Sequence, residues 1–171
     1  MPTPDVDVAA ILDTLASREV EYVVIGGFAA ELHDVALPPT QDVDITPAAG
    51  PQNLARLAAA LNELDARLRV PDDPAGFALP GGVTVELLST MQVLTLITAA
   101  GPLDISMTPQ GTGGYRDLRR ARVSIAYGDR VVPVAALEDV IRSKEAAGRE
   151  KDLKVLPALQ AHLDAVRRRN S

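Results

Sequence analysis

The residues best suited to chemistry in this sequence are two aspartates, Asp42 and Asp44, in the segment 41–46. The segment alternates polar and apolar residues, which predicts a strand whose successive side chains point to opposite faces. The two aspartates then share one face, while Val43 and Ile45 share the buried one. Neighbouring carboxylates repel each other, and a divalent cation such as Mg²⁺, which prefers oxygen ligands, would relieve that repulsion. A solvated surface pair is the alternative interpretation, because this spacing is common by itself.

A third carboxylate, Asp104, lies in another apolar segment, between Leu103 and Ile105. These neighbours place it on the opposite face of a predicted strand from their own side chains. An isolated acid in such a strand usually faces solvent. If the strand lies beside that of Asp42 and Asp44, however, three carboxylates converge, and two-metal phosphoryl transfer requires that arrangement.

A pair of glycines, Gly26 and Gly27, separates a predicted strand from a predicted helix. Glycine at this junction lets backbone N–H groups approach a phosphate, and the N-terminus of the following helix favours negative charge. A tight turn that needs a positive φ is the alternative reason for the pair.

The elements that must position these residues mix helices with strands. The pattern predicts helices at 5–18, with Asp5 as the cap, and at 28–33 and 52–64. It predicts strands at 20–25, 41–46, 83–87, 93–98 and 103–107, a hairpin of 123–127 with 130–134, and helices from 136 with a break at Gly148. Consecutive hairpins among helices indicate an α+β class, with a core at 1–134 and a C-terminal helical region at 135–171 packed as part of one domain.

The composition narrows the class of protein. The chain has 171 residues, of which 47% are hydrophobic and 3% aromatic, so a globular core of aliphatic residues is expected. It has no cysteine, which excludes disulfides and thiolate metal sites. No segment resembles a secretion signal or is apolar enough to span a bilayer. We therefore expect a cytoplasmic protein that works without a membrane.

Charge is distributed unevenly along the chain. Residues 1–110 contain 4 Lys and Arg against 15 Asp and Glu, a net charge of −11. Residues 111–171 contain 13 against 8, a net charge of +5. An acidic part that holds metal and a basic part that holds phosphate would explain this split, as would ordinary variation between helix surfaces.

Taken together, these motifs resemble a known superfamily. Gly26-Gly27-Phe28-Ala29-Ala30 and Thr40-Gln41-Asp42-Val43-Asp44-Ile45 are similar to the signature of DNA-polymerase-β-like nucleotidyltransferases. The segments 101–105, 114–118 and 137–152 resemble the minimal AbiEii/MenT-type branch, which includes toxins of bacterial toxin–antitoxin systems. The resemblance implies a nucleotidyltransferase fold, a mixed sheet flanked by helices.

The resemblance also implies roles for individual residues. Asp42 and Asp44 would bind Mg²⁺ or Mn²⁺, and Asp104 would join them as third carboxylate, acting as general base or orienting the attacking hydroxyl. The NTP triphosphate would lie against Gly26 and Gly27, although many members have Gly-Ser where this chain has Gly-Gly. Lys144 and Arg149 would contact phosphate or the transition state, and Asp152 would orient one of them.

The acceptor implied by the resemblance is RNA, in particular the tRNA 3′ end, and a cognate antitoxin protein is the implied partner. A basic cluster beside a glycine-rich loop could bind an RNA backbone, together with Lys151 on the C-terminal helix. The cluster comprises Arg116, Arg119, Arg120 and Arg122. An exposed helix with pairs such as Glu145 with Arg149 is the alternative for the C-terminal charges. Two other functions remain open: a nucleotidyltransferase with a protein or small-molecule acceptor, and a catalytically silent nucleotide- or partner-binding module.

Overall fold

The structure, a computed structural model, describes residues 5–171, which form seven helices and eight strands. The helices are α1 (Val8–Ser17), α2 (Gly26–Leu32), α3 (Pro51–Glu63), α4 (Val85–Thr90), α5 (Tyr115–Leu118), α6 (Leu137–Ala147) and α7 (Glu150–Arg169). The strands are β1 (Tyr22–Ile25), β2 (Val43–Pro47), β3 (Arg67–Val70), β4 (Asp73–Phe77), β5 (Val93–Thr98), β6 (Gly101–Ser106), β7 (Val123–Tyr127) and β8 (Arg130–Val134). The described helices include none with the length and apolarity needed to cross a bilayer.

Contacts within the chain group these elements into two units. The first contains residues 5–22 and 41–107, and the second contains residues 23–40 and 108–171. The boundary expected at residues 134 and 135 stays a prediction.

In the first unit the strand order is β4-β3-β5-β6-β2. Strand β2 pairs parallel with β6, and the other neighbouring pairs are antiparallel. One face of the central strands is apolar and fully buried, as at Ile45, Leu96 and Leu103. On helix α3, Leu57 and Leu61 are also fully buried. Because side chains alternate along each strand, this burial fixes which residues point to the other face.

In the second unit β1 pairs parallel with β8, and β8 pairs antiparallel with β7. Helices α2, α6 and α7 enclose an apolar cluster to which Ala30, Leu137, Ile141, Leu159 and Leu163 contribute. The hairpin turns at Gly128, and α6 ends at Gly148 with a φ of 61°, as the sequence predicts. Parallel and antiparallel pairs occur in both units, so the prediction of an α+β fold with a mixed sheet is confirmed.

Two local predictions were wrong. The segment 83–87 is not a strand. Thr84 Oγ1 accepts a hydrogen bond from Leu87 N at 3.1 Å and caps α4. This side-chain cap outweighs the β propensity of the β-branched residues beside it. The first helix is capped by Asp7, whose Oδ1 accepts from Ala10 N at 3.1 Å, and not by Asp5. The sequence interpretation also missed β3 and β4.

Candidate active site

The register of two parallel strands brings the three predicted carboxylates together. Asp44 of β2 pairs directly with Asp104 of β6. On either side of this pair, Val43 opposes Leu103 and Ile45 opposes Ile105, and all four apolar side chains are buried. Since directly paired residues share a face of the sheet, burial of the apolar pairs on one face leaves the two aspartates on the other.

Asp42 joins this pair from the residue before β2. One carboxylate oxygen from each of Asp42, Asp44 and Asp104 lies within 4.8 Å of the other two, and all three residues are half-buried. Three carboxylate oxygens at this spacing fit the preference of Mg²⁺ and Mn²⁺ for oxygen ligands. The donor set is therefore suited to a hard divalent cation, for which Asp42, Asp44 and Asp104 are the candidate ligands.

The environment of Asp104 differs from that of an ordinary aspartate. Burial is the largest influence and raises its pKa, and the neighbouring negative charge of Asp42 acts in the same direction. The positive charge of Arg69 partly opposes both, and the net result is a pKa of about 6. Asp104 therefore accepts a proton more readily than a solvated aspartate does.

Arg69 is a component of this site that the sequence interpretation missed. Its Nη2 lies 3.0 Å from Asp104 Oδ1 and donates a hydrogen bond to the carbonyl oxygen of Leu96 at 2.9 Å. The contact with Asp104 is an ion pair without hydrogen-bond geometry, since Oδ1 has no hydrogen-bond partner among the described residues. The alternation of basic and apolar residues in 67–70 is a strand signal that could have placed Arg69 on the face of the acids.

Gly26 and Gly27 lie in the second unit and form the first turn of α2, so this helix starts two residues before its predicted position. Gly26 has a φ of 66°, a conformation that side chains disfavour. A Cβ atom on Gly27 would lie 3.5 Å from Thr40 Oγ1, which is an ordinary contact. The positive φ explains why residue 26 is a glycine. At position 27, by contrast, nothing in the local packing requires glycine.

Lys144, Arg149 and Asp152 form a cluster where α6 ends and α7 begins, also in the second unit. Asp152 is 1% exposed and lies 2.7 Å from Arg149 Nε and 3.5 Å from Lys144 Nζ. Burial raises its pKa, but the hydrogen bonds from Arg149 and the charge of Lys144 outweigh burial and hold the pKa below its usual range. Asp152 thus forms ion pairs with both cations, and their contact with phosphate stays a prediction.

The basic residues predicted to bind RNA are exposed in the second unit. Arg116, Arg119, Arg120 and Lys151 all have exposed side chains. The guanidinium of Arg119 lies 5.9 Å from the centre of the Tyr115 ring, within reach of a cation–π interaction. Arg149 forms an ion pair with Asp152, and Gly148 ends α6 between Arg149 and Glu145, the partner named in the alternative interpretation.

The fold is similar to that of solved nucleotidyltransferases. The lincosamide antibiotic adenylyltransferase LnuA, with lincomycin bound, matches with a TM-score of 0.62 at 18% identity, over 93% of this chain and 99% of that one. ANT(2'')-Ia in complex with adenylyl-2''-tobramycin matches with a TM-score of 0.54 at 15% identity, over 96% and 97%. A Thermotoga maritima protein assigned provisionally as a nucleotidyltransferase matches with a TM-score of 0.55 at 16% identity, over 88% of each chain.

No protein-family model matches the sequence, and no curated protein matches it significantly. At identities below 20% the structural likeness establishes the fold. The nucleotidyltransferase fold predicted from the motifs is therefore confirmed, and membership of the AbiEii/MenT-type branch stays a prediction.

Proposed function

We propose that the chain is a metal-dependent nucleotidyltransferase, which transfers a nucleoside monophosphate from an NTP to an acceptor hydroxyl and releases pyrophosphate. The observation that carries this proposal is the convergence of Asp42, Asp44 and Asp104 on one sheet face of a nucleotidyltransferase fold. Carboxylates held this close to one another repel, and a divalent cation with a triphosphate would relieve that repulsion.

The reaction forms a bond between the acceptor oxygen and the α-phosphorus of the NTP and breaks the bond from that phosphorus to the bridging oxygen of the β-phosphate. Mg²⁺ or Mn²⁺ held by the acids would supply charge neutralisation of the phosphates and lower the pKa of the attacking hydroxyl. Asp104 is suited to accept the proton of that hydroxyl, because a pKa of about 6 makes it a stronger base than a solvated carboxylate.

In this proposal, residues of the second unit bind the nucleotide. The backbone N–H groups of Gly26 and Gly27 would bind the triphosphate, and Lys144 and Arg149 would balance its charge. The support for the cations is their orientation by the buried carboxylate of Asp152, at 3.5 Å and 2.7 Å. A fixed cation loses little freedom when it meets a phosphate, so these positions suit transition-state stabilisation.

The acceptor that we propose is an RNA, in particular the tRNA 3′ end, with the chain acting as a cytoplasmic toxin and a cognate antitoxin as its inhibitor. The support is the resemblance of segments 101–105, 114–118 and 137–152 to toxins of that branch. Exposed Arg116, Arg119, Arg120 and Lys151 would bind the RNA backbone in this proposal.

A second candidate acceptor is a small molecule that carries a hydroxyl group. The observation that favours it is the likeness to an adenylyltransferase of lincosamides and to an enzyme bound to adenylylated tobramycin, each over more than nine-tenths of both chains. The chemistry at the α-phosphorus is the same for both acceptors, so the carboxylate cluster does not discriminate between them.

The test is transfer of label from each α-labelled NTP, with Mg²⁺, to total tRNA in one series and to lincomycin or tobramycin in another. The wild type is compared with Asp42→Asn/Asp44→Asn and with Asp129→Asn, a control whose carboxylate is 96% exposed in the β7–β8 turn. Label on one acceptor that disappears only in the double variant establishes the reaction and selects the acceptor. Label on neither, with no labelled protein, would leave the silent binding module as the better account.

A further inference from the structure

The third carboxylate of the cluster is shared with a cation of the protein itself. Arg69 is on β3, one residue beyond the pair that Leu68 makes with Leu96 on β5, and Thr95 of β5 pairs with Asp104. The guanidinium therefore spans β5 to reach Asp104 on the same face of the sheet. Neither side chain is fully exposed, at 32% for Arg69 and 26% for Asp104.

The position of the guanidinium is fixed by the backbone. Its Nη2 donates to the Leu96 carbonyl oxygen at 2.9 Å and lies 3.0 Å from Asp104 Oδ1. An arginine held by a strand carbonyl keeps its charge at a defined place, which a solvated side chain does not. Arg67, two residues earlier on the same strand, is 40% exposed and lies 3.6 Å from Asp65.

The ion pair of Arg69 with Asp104 affects how the carboxylate cluster can bind metal. With the guanidinium of Arg69 3.0 Å from Asp104 Oδ1, the metal would be held mainly by Asp42 and Asp44, and Mg²⁺ is commonly bound through one or two carboxylates. Without Arg69 the same three acids would favour a second cation, as two-metal sites do. An oxygen beside a guanidinium is also a weaker metal ligand, because the two cations compete for it and repel each other.

We propose that Arg69 is a positioning residue that withholds Asp104 from the metal, so that the nucleotide-free protein binds a single divalent ion through Asp42 and Asp44. Asp104 then stays available to the acceptor hydroxyl. The inference rests on the proposed function, because it presumes that the three acids form a metal site.

The experiment is a titration of the chain with Mn²⁺ in the absence of nucleotide, with bound ions counted by electron paramagnetic resonance and affinity measured by calorimetry. The wild type is expected to bind one ion per chain. Arg69→Gln is expected to bind a second ion, or to bind the first about tenfold more tightly, since one repelling charge has been removed. Arg67→Gln is the matched control on the same strand and is expected to behave as the wild type.

Two further variants separate positioning from a general effect on the fold. Arg69→Lys keeps the charge and is expected to restore single-ion binding. In Arg69→Gln/Asp104→Asn the gain in Mn²⁺ binding should disappear, because Arg69 acts through Asp104; a loss of structure would not be cancelled in this way. Thermal unfolding in chelator monitors folding for each variant.

An Arg69→Gln variant that binds Mn²⁺ with the stoichiometry and affinity of the wild type would overturn the inference and leave the proposed function standing. A wild type that binds no Mn²⁺, even with NTP, would overturn both. A gain in Arg69→Gln that persists in the double variant would also overturn the inference, since the effect would not pass through Asp104.

Discussion

Replacing Asp104 by asparagine should stabilise the metal-free protein at neutral pH, although it removes the proposed base. Burial and the charge of Asp42 raise the pKa of Asp104 from 3.8 to about 6. The ionised carboxylate is then disfavoured by the fold by about 3 kcal/mol, at about 1.4 kcal/mol for each tenfold shift in the protonation equilibrium. Asparagine resembles the neutral acid in shape and has no such penalty.

The sign of the pH dependence follows from the same values. The folded pKa lies above the unfolded one, so the folded state binds the extra proton, and the stability of the wild type falls as pH rises through the interval from about 4 to 6. The stabilisation by Asp104→Asn is therefore expected to be about 3 kcal/mol at pH 7.5 and less than about 1 kcal/mol at pH 4.

Chemical denaturation in chelator at several pH values measures the free energy of unfolding of both proteins. Asp129→Asn is the control, because its carboxylate is 96% exposed, and its effect should not vary with pH. With Mn²⁺ added, the advantage of Asp104→Asn should shrink, since metal relieves the repulsion in the wild type. A stability difference that is constant from pH 4 to 7.5 would refute the description of Asp104 as a disfavoured, ionised carboxylate.

Three other predictions concern the second unit. Asp152→Asn should lower the free energy of unfolding by about 2 kcal/mol at pH 7, since it leaves Lys144 partly buried without its counter-ion. Because the folded pKa of Asp152 is depressed, the stability difference between variant and wild type should narrow as pH falls below about 4. Acid denaturation of both proteins would measure this. Gly26→Ala should lower stability by about 1 kcal/mol because residue 26 has a positive φ. Gly27→Ala should leave the melting temperature unchanged, because a Cβ atom fits there, and should raise the KM for NTP. An unaltered KM would count against phosphate binding at Gly27. Leu159→Ala, at a fully buried position between α2, α6 and α7, should cost about 2–5 kcal/mol in denaturant unfolding, and a smaller loss would show that the cluster can collapse around the cavity.

Local sequence patterns predicted most of the helices and strands and identified the candidate metal-binding aspartates. Alternation across Asp42, Val43, Asp44 and Ile45 places both acids on the face opposite the core, and this depends only on the geometry of a strand. Glycine at positions 128 and 148 predicted the hairpin turn and the end of α6 for the same local reason. Where a side-chain cap competed with β propensity, at Thr84, the local pattern was ambiguous and the prediction failed.

The carboxylate cluster itself depends on strand pairing across about sixty residues of sequence. No local signal states that β6 lies beside β2, or that Asp104 rather than Leu103 opposes Asp44. That register is decided by burial, because a slip of one residue would bring Asp104 to the buried face and expose Leu103 and Ile105. The sequence by itself thus determined which residues could bind a metal and on which face of their strands they lie. Only the tertiary structure decided that the three aspartates meet. It also placed Arg69, on a strand that the sequence interpretation missed, 3.0 Å from Asp104. Both contacts form because segments distant in the sequence pack together.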